Sequence, residues 1–99
     1  MYNQYMVEIY LPPEMTQEFM NLIPSQRAQV NSLVKEGTIR SYTLSMDRQR
    51  LWVVMVEENE STLVDRLNTF PIMPYCEYEI HSLMFHDMAS QELPRISLN

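Results

Sequence analysis

Residues 39–57 of the chain, IRSYTLSMDRQRLWVVMVE, contain two segments rich in β-branched and aromatic side chains. The first segment, Ile39 to Met46, is separated from the second, Leu51 to Glu57, by the polar residues Asp47-Arg48-Gln49. Short apolar segments joined by a few polar residues are typical of an antiparallel hairpin. The connection has no Asn-Gly or Asp-Gly pair, so the pattern predicts a hairpin without fixing the type of its loop.

One strand and one helix precede the hairpin. From Tyr5 to Leu11 the apolar residues alternate with less apolar ones, a spacing typical of a strand. The strand is predicted to end at Pro12-Pro13, because proline cannot donate a hydrogen bond to a sheet. A helix is predicted from Thr16 to Gly37, with a kink or a break at Pro24. Its apolar stripe contains Phe19, Leu22, Ile23, Val30, Leu33 and Val34.

A second helix and a last strand follow the hairpin. The helix is predicted to begin near Asn59 or Ser61, and the strand to extend from Tyr75 to Phe85. The apolar stripe of this helix contains Leu63, Val64, Leu67 and Phe70. The order of elements predicts an α+β, ferredoxin-like βαββαβ domain over residues 1–86, with two helices on one face of a four-stranded antiparallel sheet. Residues 87–99 are predicted to form a C-terminal extension or arm.

The second face of this sheet is predicted to be too apolar to remain in water. By alternation along the strands, it carries Met6 and Tyr10, Tyr42 and Leu44, and part of the segment from Leu51 to Val56. A face of this kind usually packs against a partner. A chain of 99 residues also buries only a modest share of its surface, which favours assembly. We therefore expect copies of this chain to associate through the face that contains Tyr10 and Tyr42.

Charge and composition argue against several classes of protein. The net charge of −6, without a run of Lys or Arg, argues against nucleic acid and anionic membranes as partners. The longest apolar run, Leu51 to Val56, is far too short to span a bilayer. The N-terminal residues lack the pattern of a signal peptide, and the single cysteine, Cys76, fits a reducing compartment. These features predict a cytoplasmic protein.

Three short strings of the chain resemble those of muconolactone isomerases. Leu11-Pro12-Pro13-Glu14-Met15 resembles the Leu-Pro-x-Asp-Met of that family. Lys35-Glu36-Gly37-Thr38, followed by Ile39-Arg40, resembles its Arg-Glu-Gly-Thr-Trp-Arg. Phe70-Pro71-Ile72-Met73-Pro74-Tyr75, with Glu79-Ile80 soon after, resembles Leu-Pro-Leu-Phe-Pro-Tyr and the Glu-Val that follows. The resemblance implies a ferredoxin-like fold, dimers through facing sheets (the dimeric α+β barrel), often a larger ring of dimers, and a reaction without a metal or an organic cofactor.

The reaction implied by this resemblance moves a proton between two carbons of an unsaturated lactone that carries a carboxylate. It needs a base, donors for the developing enolate and a cation for the carboxylate. Glu8, Glu79 and His81 are the candidate catalytic bases, because the first and last strands are neighbours in a ferredoxin-like sheet. Arg40 is the candidate cation. The other candidate substrate-binding residues are Tyr10, Tyr42 and Trp52.

Each candidate also has an ordinary structural interpretation. Glu79 and His81 are also typical of the solvent-exposed side of a strand. Arg40 could equally form a surface ion pair, and Trp52 could equally pack in the core or in an interface. A metal site is not predicted, because His81 lies on the opposite face of the last strand from both His86 and Cys76.

Three classes of function remain open at this stage. The first is a cofactor-free isomerase of a small lactone or enol-like acid. The second is a non-catalytic member of the same fold that binds a small apolar acid or only assembles, and the third, by fold analogy alone, is a cofactor-free oxygenase. Thr43-Leu44 and Asp47-Arg48-Gln49 depart from the basic and aromatic residues of the resembled family, which predicts that muconolactone is a poor substrate. Arg48 would restore one cation if its loop folded inward.

Overall fold

The structure is a computed structural model that describes residues 2–87, so most of the predicted C-terminal arm lies outside the described residues. The elements are β1 (Asn3–Tyr10), α1 (Gln17–Met20), α2 (Ile23–Glu36), β2 (Ile39–Leu44), β3 (Arg50–Glu57), α3 (Glu60–Leu67), a 3₁₀ turn (Met73–Tyr75) and β4 (Glu77–Leu83). The four strands form one antiparallel sheet in the order β2-β3-β1-β4. Helices α2 and α3 pack on one face of this sheet, which confirms the predicted fold class.

The predicted first helix is divided into two pieces close to Pro24. The Thr16 hydroxyl caps α1 by accepting a hydrogen bond from the Phe19 amide at 3.2 Å, and Pro24 lies in the first turn of α2. Proline fits the first turn of a helix, where its missing N–H has no helical partner in any case. At the other end of α2, Gly37 has φ 87°. Its amide bonds the Val34 carbonyl while the Thr38 amide bonds that of Leu33, both at 3.0 Å, so the helix ends in a Schellman motif.

Gly37→Val is expected to destabilise the chain by about 1 kcal/mol or more, because a β-branched residue resists positive φ. A Cβ at this position would meet no atom within 4 Å, so the cost comes from the backbone and not from a clash. Urea unfolding measures it. Gly37→Asn is the matched control, since asparagine tolerates the left-handed conformation and should lose less stability. Equal unfolding midpoints for wild type and Gly37→Val would contradict this cap.

The hydrophobic core lies between the helices and the inward-facing side chains of the strands. In β1 every second residue is buried, as the alternating sequence predicts. The buried apolar residues of this cluster are Tyr5, Val7, Ile9, Phe19, Val30, Leu33, Ile39, Leu51, Val53, Met55, Leu63, Leu67, Phe70, Ile72 and Met73. The segment after α3 therefore contributes to the core, and Phe70 packs there from beyond the end of the helix that was predicted to contain it.

Two predictions about individual elements are wrong. Val34 was placed on the apolar stripe of the first helix, but it lies in the last turn and is 49% exposed. The buried stripe runs instead through Gln26, Val30 and Leu33 at helical spacing. The last strand begins at Glu77 and not at Tyr75, because Pro74 lies in a 3₁₀ turn that precedes it.

A β-bulge in β2 changes the face on which Tyr42 lies. Ile39 pairs with Met55, whereas Ser41 pairs with Val54, so Arg40 is the extra residue of the bulge. Tyr42 is thereby turned towards the helices, where it packs against the core. Leu44 also lies on that side, because it pairs with the buried Leu51. The prediction that Tyr42 and Leu44 share the second face with Tyr10 is therefore wrong.

Candidate functional site

A cavity of about 680 Å³ lies on the helix side of the sheet, between α1, α2, β2 and the β2–β3 hairpin. We call it the helix-side cavity. Its wall is mainly apolar, with side chains such as Leu11, Phe19, Ile23, Val30 and Ile72. Its polar lining residues are Gln26, Arg27, Asn31, Tyr42 and Arg48. A concave apolar space with a few convergent polar groups is the usual form of a small-molecule site.

Gln26, which is buried, and Tyr42, which is partly buried, form the inner polar part of this cavity. Gln26 is only 4% exposed, and its amide nitrogen lies 3.4 Å from the Tyr42 hydroxyl. Its amide oxygen accepts a hydrogen bond from the backbone amide of Ile72, also at 3.4 Å. The Gln26 side chain thus connects α2 with β2 and with the segment before the 3₁₀ turn. A buried amide that is bonded at both ends has a fixed orientation.

The two arginines of the cavity come from α2 and from the hairpin. Arg48 lies in the connection between β2 and β3, where its amide bonds the Ser45 carbonyl at 3.0 Å and its φ is +62°. The Asp47 carboxylate holds this turn, because it accepts hydrogen bonds from the Ser45 hydroxyl and the Gln49 amide. Within residues 2–87, neither Arg27 nor Arg48 has a carboxylate within 4.0 Å. The cavity therefore has two cations that are free to pair with an anion.

The cavity itself contains no group that is suited to proton transfer near neutral pH. Among the described residues that line it there is no carboxylate and no imidazole. Burial raises the pKa of Tyr42, and its hydrogen bond with Gln26 only partly offsets that effect. Burial also raises the pKa of the nearby Cys76 thiol to about 11. Both groups remain protonated at neutral pH, so neither supplies a base to the cavity.

The three predicted catalytic residues lie together on the other face of the sheet. Glu8 in β1 is directly opposite Glu79 in β4, and His81 follows on the same face. The His81 Nε2 atom lies 3.8 Å from a Glu8 oxygen and 4.0 Å from a Glu79 oxygen. Within the described chain, no helix packs on this face, so we call it the open face.

Two more side chains complete this open-face cluster, which comprises Glu8, Glu79, His81, Tyr10 and Arg50. The Arg50 guanidinium contacts Glu8 at 2.9 Å and lies over the Tyr10 ring, 4.7 Å from its centroid. The Tyr10 hydroxyl donates a hydrogen bond to Glu79 at 3.0 Å. That hydrogen bond, more than burial, raises the pKa of Tyr10. The cluster therefore combines carboxylates, an imidazole, a phenol and a cation.

The open-face cluster also has the composition of a metal site. The ligand atoms of Glu8, Glu79 and His81 all lie within 4.8 Å of one another. These three residues were placed together as bases by the sequence analysis, which predicted no metal site because it compared His81 only with His86 and Cys76. Arg50 already neutralises one Glu8 oxygen, so a cation would have to compete with it.

The structure separates the predicted substrate-binding residues. Tyr10 and Trp52 lie on the open face, where Trp52 is directly opposite Glu8. Tyr42 lies in the helix-side cavity. Arg40 is exposed at the bulge and belongs to neither group. The predicted bases and the cavity are thus on opposite faces of the same sheet.

Three polar residues of the cavity were missed by the sequence analysis as binding residues, namely Gln26, Arg27 and Asn31. Arg48 was named there as a cation on the condition that its loop folded inward. Gln26 had a signal, because it lies four residues before Val30 and seven before Leu33, on the apolar stripe of the helix. A polar residue on a buried stripe requires a partner. Arg27 had no comparable signal.

None of the helices within residues 2–87 has the length and apolar character that crossing a membrane requires.

Comparison with known proteins identified one family and solved structures of similar fold. The family described as muconolactone delta-isomerase matches residues 1–89. A solved crystal structure of muconolactone isomerase superposes with a TM-score of 0.70, at 22% sequence identity, and covers 87% of this chain and 93% of that chain. At this identity, the superposition supports the fold. No significant match is found among curated proteins.

Proposed function

The chain belongs to the muconolactone delta-isomerase family, and we propose that its helix-side cavity binds a small apolar carboxylic acid of the lactone or enol type. The observation that carries this proposal is the pair of arginines, Arg27 and Arg48, on the wall of an otherwise apolar cavity. Guanidinium groups pair well with carboxylates, and the apolar wall would cover the hydrocarbon part of such a ligand.

The size and electrostatics of the cavity agree with this class of ligand. Its volume of about 680 Å³ lies inside the usual range for small-molecule sites. Arg27 and Arg48 stand out against a chain of net charge −6, which would otherwise repel an anion. An acid without an apolar body would leave the apolar wall in contact with water, so small hydrophilic acids fit the cavity less well.

Arg48 also changes the expectation about muconolactone. The departures in the hairpin argued that the cation for the substrate carboxylate was missing. Arg48 lies on the cavity wall, so the hairpin supplies a cation at that place. Muconolactone therefore belongs among the acids to be tested as ligands, and its poor turnover stays a prediction that rests on the other departures in the hairpin.

A titration followed by NMR tests the binding proposal. Cyclopentylacetate, a small apolar acid, is expected to shift the backbone amide signals of Arg27, Tyr42 and Arg48 in a saturable manner. Its methyl ester is the matched control, because the ester keeps the apolar body and loses the charge. Binding of the ester as strong as that of the acid, or shifts confined to the open face, would contradict the proposed site.

The second candidate function is proton transfer at the open-face cluster, as in a cofactor-free isomerase. The convergence of Glu8, Glu79 and His81 favours it, because these groups can take a proton from one carbon of an unsaturated acid and return it to another. Arg50 would pair with the carboxylate of the substrate and Tyr10 would donate to the developing enolate. On this account the carbon–hydrogen bond that breaks is replaced by one at a second carbon, and no cofactor takes part.

Deuterium exchange into a set of unsaturated lactone acids, muconolactone included, tests this second function. The expected result is a decrease of about 10²- to 10⁴-fold in exchange rate for Glu8→Gln, Glu79→Gln or His81→Asn, the usual contribution of a catalytic acid or base. Glu77→Gln is the matched control, since Glu77 is an exposed carboxylate of the same strand outside the cluster. Exchange that persists in all three variants would remove the cluster from catalysis.

We propose in addition that two copies of the chain associate through the open face. Met6, Trp52 and Val56 are partly exposed there, and apolar side chains on an uncovered sheet face favour a partner. Association would also enclose the open-face cluster between two sheets and exclude water from it, which strengthens its electrostatic interactions. A larger ring of such pairs and a cytoplasmic location stay predictions.

A further inference from the structure

The orientation of the Gln26 side chain is determined by its backbone partner. The Ile72 amide can only donate a hydrogen bond, so the Gln26 atom that faces it must be the amide oxygen. The amide nitrogen then faces the Tyr42 hydroxyl and donates to its oxygen. Because a phenol oxygen that accepts this bond keeps its own proton, the Tyr42 proton is left for another acceptor. Within the described chain, the Tyr42 hydroxyl donates to no protein group.

We infer that Gln26 positions Tyr42 as a hydrogen-bond donor to an uncharged oxygen of the ligand, so that the cavity selects acids that carry a second, carbonyl oxygen. This inference rests on the proposed binding of an acid at Arg27 and Arg48. Those arginines would hold the carboxylate, and Tyr42 would contact a lactone or ketone oxygen on the body of the same molecule. Gln26 acts through Tyr42 and is a positioning residue.

The surroundings of Tyr42 keep it in the donor state. Burial raises its pKa above the ordinary value of 10.0, so the phenol stays neutral throughout the physiological range. A raised pKa means that the phenol loses its proton only at a higher pH than it would in water. At any pH below this pKa, the Tyr42 hydroxyl therefore remains a hydrogen-bond donor. The Gln26 side chain is buried between its own helix, α2, and the segment that carries Ile72. This position prevents the amide group from exchanging the places of its oxygen and nitrogen.

Two ligands that differ by one oxygen test the inference. Cyclopentylacetate and oxocyclopentylacetate share a carboxylate and a ring, and only the second has a carbonyl. The wild-type chain is expected to bind the oxo acid about three- to tenfold more tightly, the usual effect of one hydrogen bond. Tyr42→Phe should raise the dissociation constant of the oxo acid towards that of cyclopentylacetate, so that the ratio of the two constants falls to about one.

Gln26→Glu separates positioning from a merely structural role. An ionised carboxylate at this place would accept the Tyr42 proton and cancel the preference for the oxo acid, whereas a protonated one would donate to Tyr42 as the amide does. Burial at this position, where Gln26 is only 4% exposed, would raise the pKa of the new carboxyl well above its ordinary value of about 4.3. The preference of this variant should therefore rise as the pH falls from about 9 to about 6, while that of the wild type stays constant. If Gln26→Glu does not fold, Tyr42→Phe alone decides the role of the hydroxyl and Gln26→Met that of the amide, with a reduced preference expected.

The outcomes distinguish this inference from the proposed function. Failure of both acids to bind the wild-type chain overturns the proposed function. Equal binding of the two acids by the wild type overturns the inference and leaves the proposed function standing. A preference that survives Tyr42→Phe, or that is independent of pH in Gln26→Glu, also overturns it.

Discussion

Replacing Arg27 and Arg48 together by glutamine is expected to weaken the binding of cyclopentylacetate by about 10²-fold or more. A hydrogen bond to a charged group contributes about 1.5–3 kcal/mol, and each 1.4 kcal/mol is a factor of ten in the dissociation constant. Each single replacement should therefore cost about tenfold or more. The effect is smaller than the sum of two ideal ion pairs, because both arginines are exposed and are screened by water.

Arg40→Gln is the matched control for this experiment. It removes the same charge from the chain, but from the exposed bulge and not from the wall of the cavity. If affinity depended only on net charge, this variant would bind as weakly as Arg27→Gln. Unchanged affinity in the double variant would show that the cavity does not bind the carboxylate through its arginines.

Arg48 should also show a conflict between stability and binding. Its φ of +62° places a side chain in the left-handed region, which costs an L-residue about 1–2 kcal/mol relative to glycine. Arg48→Gly relieves this strain but adds freedom to the unfolded chain, so we expect a net gain of at most about 1 kcal/mol in unfolding free energy. The same variant should lose about tenfold in affinity for the acid. Strain that is retained at a ligand-binding position is a common sign of function.

The fold could be predicted because its determinants are local and periodic. Alternation fixed the strand from Tyr5 to Leu11, and Pro24 and Gly37 marked the boundaries of the long helix. The face of Tyr42 could not be predicted, since it depends on the one-residue bulge at Arg40. A single inserted residue exchanges the two faces of the strand that follows, and no pattern in this sequence marks it.

The two candidate sites also differ in how far they could be predicted from the sequence. The proximity of Glu8 and Glu79 could be predicted, because their strands are neighbours in a ferredoxin-like sheet and the alternation of residues shows that both lie on the same face. Arg48 could not be placed, since a side chain in a turn has no periodicity to follow. The polar lining of the cavity depends on where a helix and a hairpin meet, and that is a property of the packed chain.

A charge at the centre of the open face is expected to separate associated copies of the chain. Met6 lies in β1, directly opposite Val54 on one side and His81 on the other, so it occupies the middle of that face. Met6→Glu would place another carboxylate beside Glu8. An unpaired charge that is buried in an interface costs several kcal/mol, enough to reduce association by about 10³-fold or more. Light scattering at micromolar concentration should therefore report a multiple of the chain mass for the wild type and a single chain for this variant.

Met46→Glu is the matched control for the light-scattering measurement. Met46 is 99% exposed in the β2–β3 hairpin, so the same chemical change there should leave both the mass and the fold unaltered. Circular dichroism separates dissociation from unfolding, because a dissociated Met6→Glu chain keeps its sheet and helices. A monomeric wild type would remove the proposed association. If Met6→Glu still associates, the contact between copies lies elsewhere on the molecule. The open-face cluster would then stay exposed to water, where ion pairs contribute little to stability. A general base in that position would have no enclosed substrate on which to act.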